Sequence, residues 1–189
     1  EALQPEFTAY QKQILENARA LAARLVERGF TLVSGGTDNH LMIVNTFDTK
    51  GITGKDAQAM LEAANITTNK NMLPYDKNKP AVSSGIRLGS PTLTTRGFGA
   101  GEFKETADII ADVLDAKGSE SAIAAGKARV AALCAAKRAR RSWFCASENE
   151  PAVAQSCRTR PSEMSSQSIH VDVDSTSSLR SSVMTIMSS

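Results

Sequence analysis

One long apolar stripe constrains this chain more than any other feature. In PEFTAYQKQILENARALAARLVERGF (residues 5–30), Ile14, Ala18, Leu21 and Leu25 recur at helical spacing, which predicts a single amphipathic helix. Pro5 suits a first turn, Arg28 complements the negative end of the helix, and Gly29 is a natural terminator. A helix with one apolar stripe must lay it against another element. With no partner ahead of it in the sequence, residues 1–29 read as a connecting helix from a further part of a protein. Ile14, Leu21 and Leu25 are then expected to be bared in this chain alone, with low solubility or self-association as the consequence.

The segments after this helix must supply a small sheet. TLVSGG and HLMIVNT read as two apolar strands around the turn-forming GGTDN. TGKDAQAMLEAAN reads as a helix, with Thr53 and Asp56 at capping-box-like spacing and Asn65 at its close. ITTNKNML and GIRLGSP read as strands on either side of the loop PYDKNKP. EFKETADIIADVLD is a helix with Phe103, Ala107, Ile110 and Leu114 on one face, and SAIAAGKARVAALCAAK is an alanine-rich last helix. The order is helix, two strands, helix, two strands, two helices. It predicts an α+β-like domain over residues 30–137, a small mixed or antiparallel sheet with helices on one face.

The character changes near Lys137. The stretch from 138 to 189 is rich in Ser and Arg and poor in large apolar residues. Such a composition does not bury enough surface to offset chain entropy, so it reads as a mostly disordered tail. Within it, SIHVDVDS alternates like a short strand, and KRARR reads as a solvated helix end rather than a nucleic-acid patch.

Several function classes fall away on the same residues. A net charge of +2 in 189 residues implies neither nucleic acid nor a membrane surface as partner, and no apolar run spans a membrane. Cys134, Cys145 and Cys157 form neither a disulfide framework nor a CxxC metal spacing and read as reduced cytosolic thiols. His40 and His170 lie too far apart in sequence to suggest a metal site. SGGTDN and TRGFGAGE fit no phosphate-loop pattern, and GFGAG reads as a turn before a helix. Ser83 and Ser84 have no base nearby in sequence.

Arg87 stands out in SSGIRLGSP. One reading is a strand arginine whose stem packs and whose head reaches solvent. The other is a carboxylate clamp, since a guanidinium offers a planar fork that matches a carboxylate in two parallel hydrogen bonds. Ser84, Gly85 and Gly89 are small enough to let a ligand approach the backbone.

SGIRLGSPTLTTRGF closely resembles the C-terminal signature of serine hydroxymethyltransferases. EALQPEFTAYQKQILENARALAARLVERGFTLVSGGTDNHLMIV, GITGKDAQAMLEAANITTNKNMLPYDKNKP and ARVAALCAAK resemble the same family in order and spacing, over about residues 1–137. The resemblance implies an α/β, fold-type I (aspartate-aminotransferase-like) transferase dependent on pyridoxal phosphate, cytoplasmic, and a homodimer or homotetramer. Such enzymes interconvert serine plus tetrahydrofolate with glycine plus 5,10-methylenetetrahydrofolate. It implies that Arg87 grips the amino-acid carboxylate and that Asn71 contacts the folate, with residues 72–80 bordering the folate cleft. Ser84 falls near the site, His40 in a structural position, and Arg96 in a position open to a turn-fixing, packing or catalytic role.

The family's cofactor lysine lies in a THK-like motif that this sequence does not contain, and Lys70 belongs to the folate-side segment instead. The resemblance therefore implies a C-terminal fragment with no catalytic lysine, inactive on its own. The alternative is a catalytically dead binding or structural small domain that pairs with a full-length subunit.

Overall fold

The computed structural model describes residues 2–138 and two short strands at 169–170 and 184–185. Helix α1 runs Pro5–Glu27. Strand β1 (Thr31–Leu32) comes next, then a 3₁₀ turn at Val33–Gly35 and strand β2 (Leu41–Asn45). Short helix α2 (Phe47–Lys50) leads into α3 (Gly54–Ala63). Strands β3 (Ile66–Thr67), β4 (Asn69–Asn71) and β5 (Gly85–Gly89) succeed it. Helices α4 (Pro91–Thr95), α5 (Ala100–Asp115) and α6 (Glu120–Arg138) complete this part.

The main sheet has the order β1-β2-β5-β4 and is antiparallel throughout. Alternation along β2 buries Met42 and Val44, which stand opposite Leu88 and Ile86 of β5 and share one face with them. That face is the core side, where α1, α3 and α5 join the same apolar cluster. One face of the sheet is thus covered by helices, as expected from the sequence.

Ala18, Leu21 and Leu25 of the α1 stripe belong to this core. Ile14, Leu21 and Leu25 are all buried, with α1 packed along α5. The expectation that these residues would be bared is therefore corrected: α5 supplies the apolar face that α1 needs. Charge fastens the same interface. Arg24 Nε and Arg28 Nη1 both donate to Asp108 Oδ1 at 2.9 Å, and Arg28 Nη2 reaches Asp112 at 2.6 Å. Arg129 then ties α6 to α5 through Asp112 at 2.6 Å and Glu105 at 2.7 Å.

Local chemistry sets the element ends. Thr53 Oγ1 accepts from Asp56 N at 3.1 Å and caps α3. Asn65 takes the left-handed conformation (φ 63°) after that helix. TLVSGG holds only two strand residues, because Ser34 turns left-handed (φ 61°) and breaks the run. ITTNKNML divides at Thr68 into β3 and β4.

The expected disordered tail, 138–189, lies outside the described residues except for Arg138 at the end of α6 and two strands, β6 (Ile169–His170) and β7 (Met184–Thr185). SIHVDVDS, which shows no obvious pairing partner in the sequence, contributes β6. It lies parallel to Ile66–Thr67 of β3, with β7 beside it.

Candidate functional site

Arg87 occupies the middle of β5, an interior strand. Of the five residues of β5 it alone is not buried. Ile86 and Leu88 point to the core, so alternation sends Arg87 to the other face. Its register partners there are Ile43 on β2 and Asn69 on β4, both half-buried. Among the described residues, no hydrogen bond or ion pair engages its guanidinium. An interior-strand cation without a counter-charge among the described residues is the distinguishing feature of this face.

Asn71 lies on the same face. It stands opposite Gly85, which makes it the diagonal neighbour of Arg87 across the β4–β5 pair. Its Nδ2 donates to the Met72 carbonyl at 2.7 Å, and Oδ1 has no partner among the described residues. Asn69, directly opposite Arg87, escapes a reading of the sequence by motif. The available signal is the two-residue spacing of Asn69 and Asn71 in TNKN, which puts both amides on one face of a strand.

The loop between Asn71 and Gly85 is built around Asp76, which the sequence does not single out either. Its Oδ2 accepts from Leu73 N at 3.1 Å and Ser84 N at 2.9 Å. Its Oδ1 accepts from Asn78 N at 2.9 Å and from Ser84 Oγ at 2.5 Å. Asn78 Nδ2 also donates to Ser84 Oγ at 2.8 Å. Burial alone would raise the Asp76 carboxyl, but the Ser84 hydroxyl and the three amides outweigh it and hold the group below its ordinary value. Asp76 therefore stays ionised at neutral pH. Ser84 thus has an identifiable task, closing this loop.

Two of the small residues next to Arg87, Ser84 and Gly85, are engaged in the protein's own packing. Ser84 and Gly85 are buried. A Cβ on Gly85 would meet the Val44 carbonyl oxygen at 2.7 Å and Leu73 Cδ2 at 2.8 Å. A Cβ on Gly54 would lie 2.4 Å from the Gly85 oxygen. The first turn of α3 therefore presses directly on β5, and side-chain-free backbone at both positions permits it.

His40 takes part through its backbone: its carbonyl accepts from Ser90 N at 3.0 Å, just past the Leu41–Gly89 pair. Arg96 is the residue that ends α4, its N–H donating to the Thr92 and Leu93 carbonyls at 3.2 and 3.1 Å. Segment 90–98 is further latched to α1, where Ser90 Oγ donates to the Ile14 carbonyl at 2.7 Å and Asn17 Nδ2 to Thr94 Oγ1 at 2.9 Å.

The described residues do not fit pyridoxal phosphate. A lysine that forms an imine must be desolvated and free to lose its proton. No described lysine is buried. Of the three half-buried ones, Lys50 pairs with Asp115 at 2.6 Å and Lys137 with Glu102 at 2.5 Å. Lys70 sits on the three-residue edge strand β4. A groove of about 470 Å³ beside α1, lined by Arg19, Ala22, Val26 and Gly36 among others, includes neither Arg87 nor Asn71. Among the described residues no His, Cys, Asp and Glu side chains cluster as a metal site, and no helix is long and apolar enough to cross a membrane.

Known proteins share this sequence pattern. The family model for serine hydroxymethyltransferase matches residues 1–110. A serine hydroxymethyltransferase of Acinetobacter radioresistens is 53% identical over 135 residues, covering 71% of this chain and 32% of that protein. The Rippkaea orientalis enzyme of the same name is 55% identical over 134 residues, 71% of this chain and 31% of its own length. That of Alteromonas mediterranea is 54% identical over 135 residues, with 71% and 32% covered. The chain spans about a third of the length of these curated relatives. With more than half of its residues under the family model and the signature strand in register at its centre, this chain belongs to the serine hydroxymethyltransferase family.

Proposed function

We propose that this chain provides the amino-acid carboxylate grip of a serine hydroxymethyltransferase, with Arg87 as the gripping residue. The observation that carries the reading is a guanidinium on an interior strand with no partner among the described residues, and two amides, Asn69 and Asn71, beside it on the same face. A carboxylate there would accept two parallel hydrogen bonds from Arg87. Holding that end of serine or glycine fixes the orientation of the bonds at the α-carbon. Asn71 is the residue proposed to meet the folate, through its unengaged Oδ1.

Pyridoxal phosphate, when bound in such enzymes, stabilises negative charge at the α-carbon. The described lysines do not suit it, so the group belongs to a part of the active site outside these residues. The chain alone is then inactive. Its reaction, serine plus tetrahydrofolate to glycine plus 5,10-methylenetetrahydrofolate, requires residues 1–137 to act as the small domain of a larger assembly. A homodimeric or homotetrameric, cytoplasmic enzyme is the setting the family suggests.

The test joins residues 1–137 into the Acinetobacter radioresistens enzyme in place of the aligned third. Arg87→Ala should lower kcat/KM for serine by the equivalent of about 2–5 kcal/mol, the usual cost of truncating a desolvated charge pair. Arg87→Lys should recover little, since an ammonium cannot make the forked contact. Serine kinetics that ignore both changes would reject the assignment. The chain by itself should neither acquire aldimine absorbance with pyridoxal phosphate nor cleave serine.

A further inference from the structure

The geometry points to Asp76 as a positioning residue for the Arg87 face: its carboxylate acts as an added rung that holds edge strand β4, and with it Asn69 and Asn71, in place beside Arg87. The functional part of this inference rests on the reading of Arg87 given above.

Strand β4 is weak by itself. It has three residues and pairs with one neighbour, through Asn69–Arg87, Lys70–Ile86 and Asn71–Gly85. The ladder ends at Asn71 and Gly85. Just beyond it, the single oxygen Oδ2 of Asp76 accepts from Leu73 N on one side and Ser84 N on the other. One acceptor thus bridges the two chains where backbone pairing has stopped. The second oxygen collects Asn78 N and Ser84 Oγ, so both ends of the loop converge on one carboxylate.

Ser84 is itself fixed from the core side. Its carbonyl accepts from Thr46 N at 3.1 Å, Phe47 N at 3.0 Å and Thr46 Oγ1 at 3.2 Å. The Asp76 rung is therefore tied to an anchored residue, and the freedom it removes is that of β4. Two left-handed positions lie in the same loop: Tyr75 and Ser83 both hold φ 58°. Such conformations persist where surrounding bonds over-determine them.

Amide hydrogen exchange on the full chain tests the rung. In Asp76→Ala, the amides of Leu73, Asn78 and Ser84 should exchange about tenfold faster or more, the equivalent of one charge-assisted hydrogen bond. The β4–β5 ladder should show the same trend, while the amides of α1 and α5 stay unchanged. Ser84→Ala, which removes only the hydroxyl, should give a smaller change in the same amides. Unaltered exchange along the ladder in Asp76→Ala, or loss of protection throughout the domain in both variants, would overturn the inference.

Kinetics in the joined enzyme separate positioning from mere stability. Asp76→Ala should raise the serine KM by more than it lowers kcat, and Asp76→Asn should recover only part, because its NH₂ faces amide donors. A lower kcat at constant KM would mean less folded enzyme and would overturn the positioning role. If Arg87→Ala leaves serine kinetics intact, the carboxylate reading fails and the functional part of this inference fails with it, whereas the exchange result stands or falls independently.

Discussion

The Asn17 carboxamide, in the middle of α1, donates to the Phe98 carbonyl at 2.9 Å across the domain. Asn17 is fully buried, and its Oδ1 is also satisfied, by Gln13 Nε2 at 3.0 Å. This pair fixes where the chain goes after the Arg87 strand, because Phe98 closes the segment that begins at Ser90. Replacing Asn17 by Ala strands buried acceptors on Thr94 and Phe98. The expected cost is about 1–3 kcal/mol in urea unfolding. A change below a few tenths would mean that water replaces the amide without penalty.

Acid should weaken the α1–α5 clamp. Burial alone would raise the Asp108 carboxyl, but donation from Arg24 and Arg28 more than cancels it and leaves the group below its ordinary value of 3.8. A carboxyl lowered on folding contributes stability that is complete above its unfolded pKa and lost as pH falls through the folded one. Thermal stability should therefore not change on account of Asp108 between neutrality and about pH 5, then decline below about pH 4. Asp108→Asn should flatten that decline. An unchanged acid limb in the variant would assign the effect elsewhere, Asp112 being the next group held low by Arg28 and Arg129.

Gly54→Ala tests the packing of α3 on β5. The added methyl would sit 2.4 Å from a backbone oxygen of Gly85, and backbone on both sides has little room to yield. A destabilisation of roughly 1–3 kcal/mol is expected from this overpacking. Gly101→Ala is the control on another helix, since a Cβ there meets nothing within 4 Å. Equal responses from the two variants would contradict the packing argument.

Tyr75 gives the opposite sign. It succeeds Pro74 in a turn closed by Asp76 N to the Leu73 carbonyl at 3.1 Å, and it holds φ 58° with its side chain fully exposed. This is the position of a type II turn that favours Gly or Asn. Tyr75→Asn should stabilise the chain by up to about 1 kcal/mol, because it relieves left-handed strain and the solvent-facing ring has no packing to give up. Calorimetry on the pair measures it, and a lower melting temperature for Asn would show that the tyrosine ring packs in solution.

Periodic segments are legible in the sequence, and so are caps made by neighbours. The stripe of α1, the Thr53 cap and the extended run around Arg87 each depend on residues a few positions apart. The features that the sequence conceals depend on distant partners. The spacing of Ile14, Leu21 and Leu25 says that the stripe needs a partner, but not that α5, far along the chain, helps to supply it, so the lack of a preceding partner suggests exposure where there is burial. Asp76 looks like an ordinary loop residue in PYDKNKP, because half of its bonds come from Ser84, eight positions away. Gly85 suggests room for a ligand, yet the space is filled by Leu73 and pressed by Gly54, which no spacing rule foretells. Arg87 can be placed on a strand from its neighbours, but its lack of a counter-charge among the described residues is visible only in three dimensions.

Gln58 has a consequence for how this sheet meets other molecules. Its Oε1 accepts from Lys70 N at 3.0 Å, at the middle residue of the outermost strand. A side-chain amide from α3 thus fills the slot that an incoming strand would use. Together with the two-residue brevity of β1 on the far side, this shortens the edge that the main sheet offers to an added strand. A strand added beside β4 would first have to displace this amide.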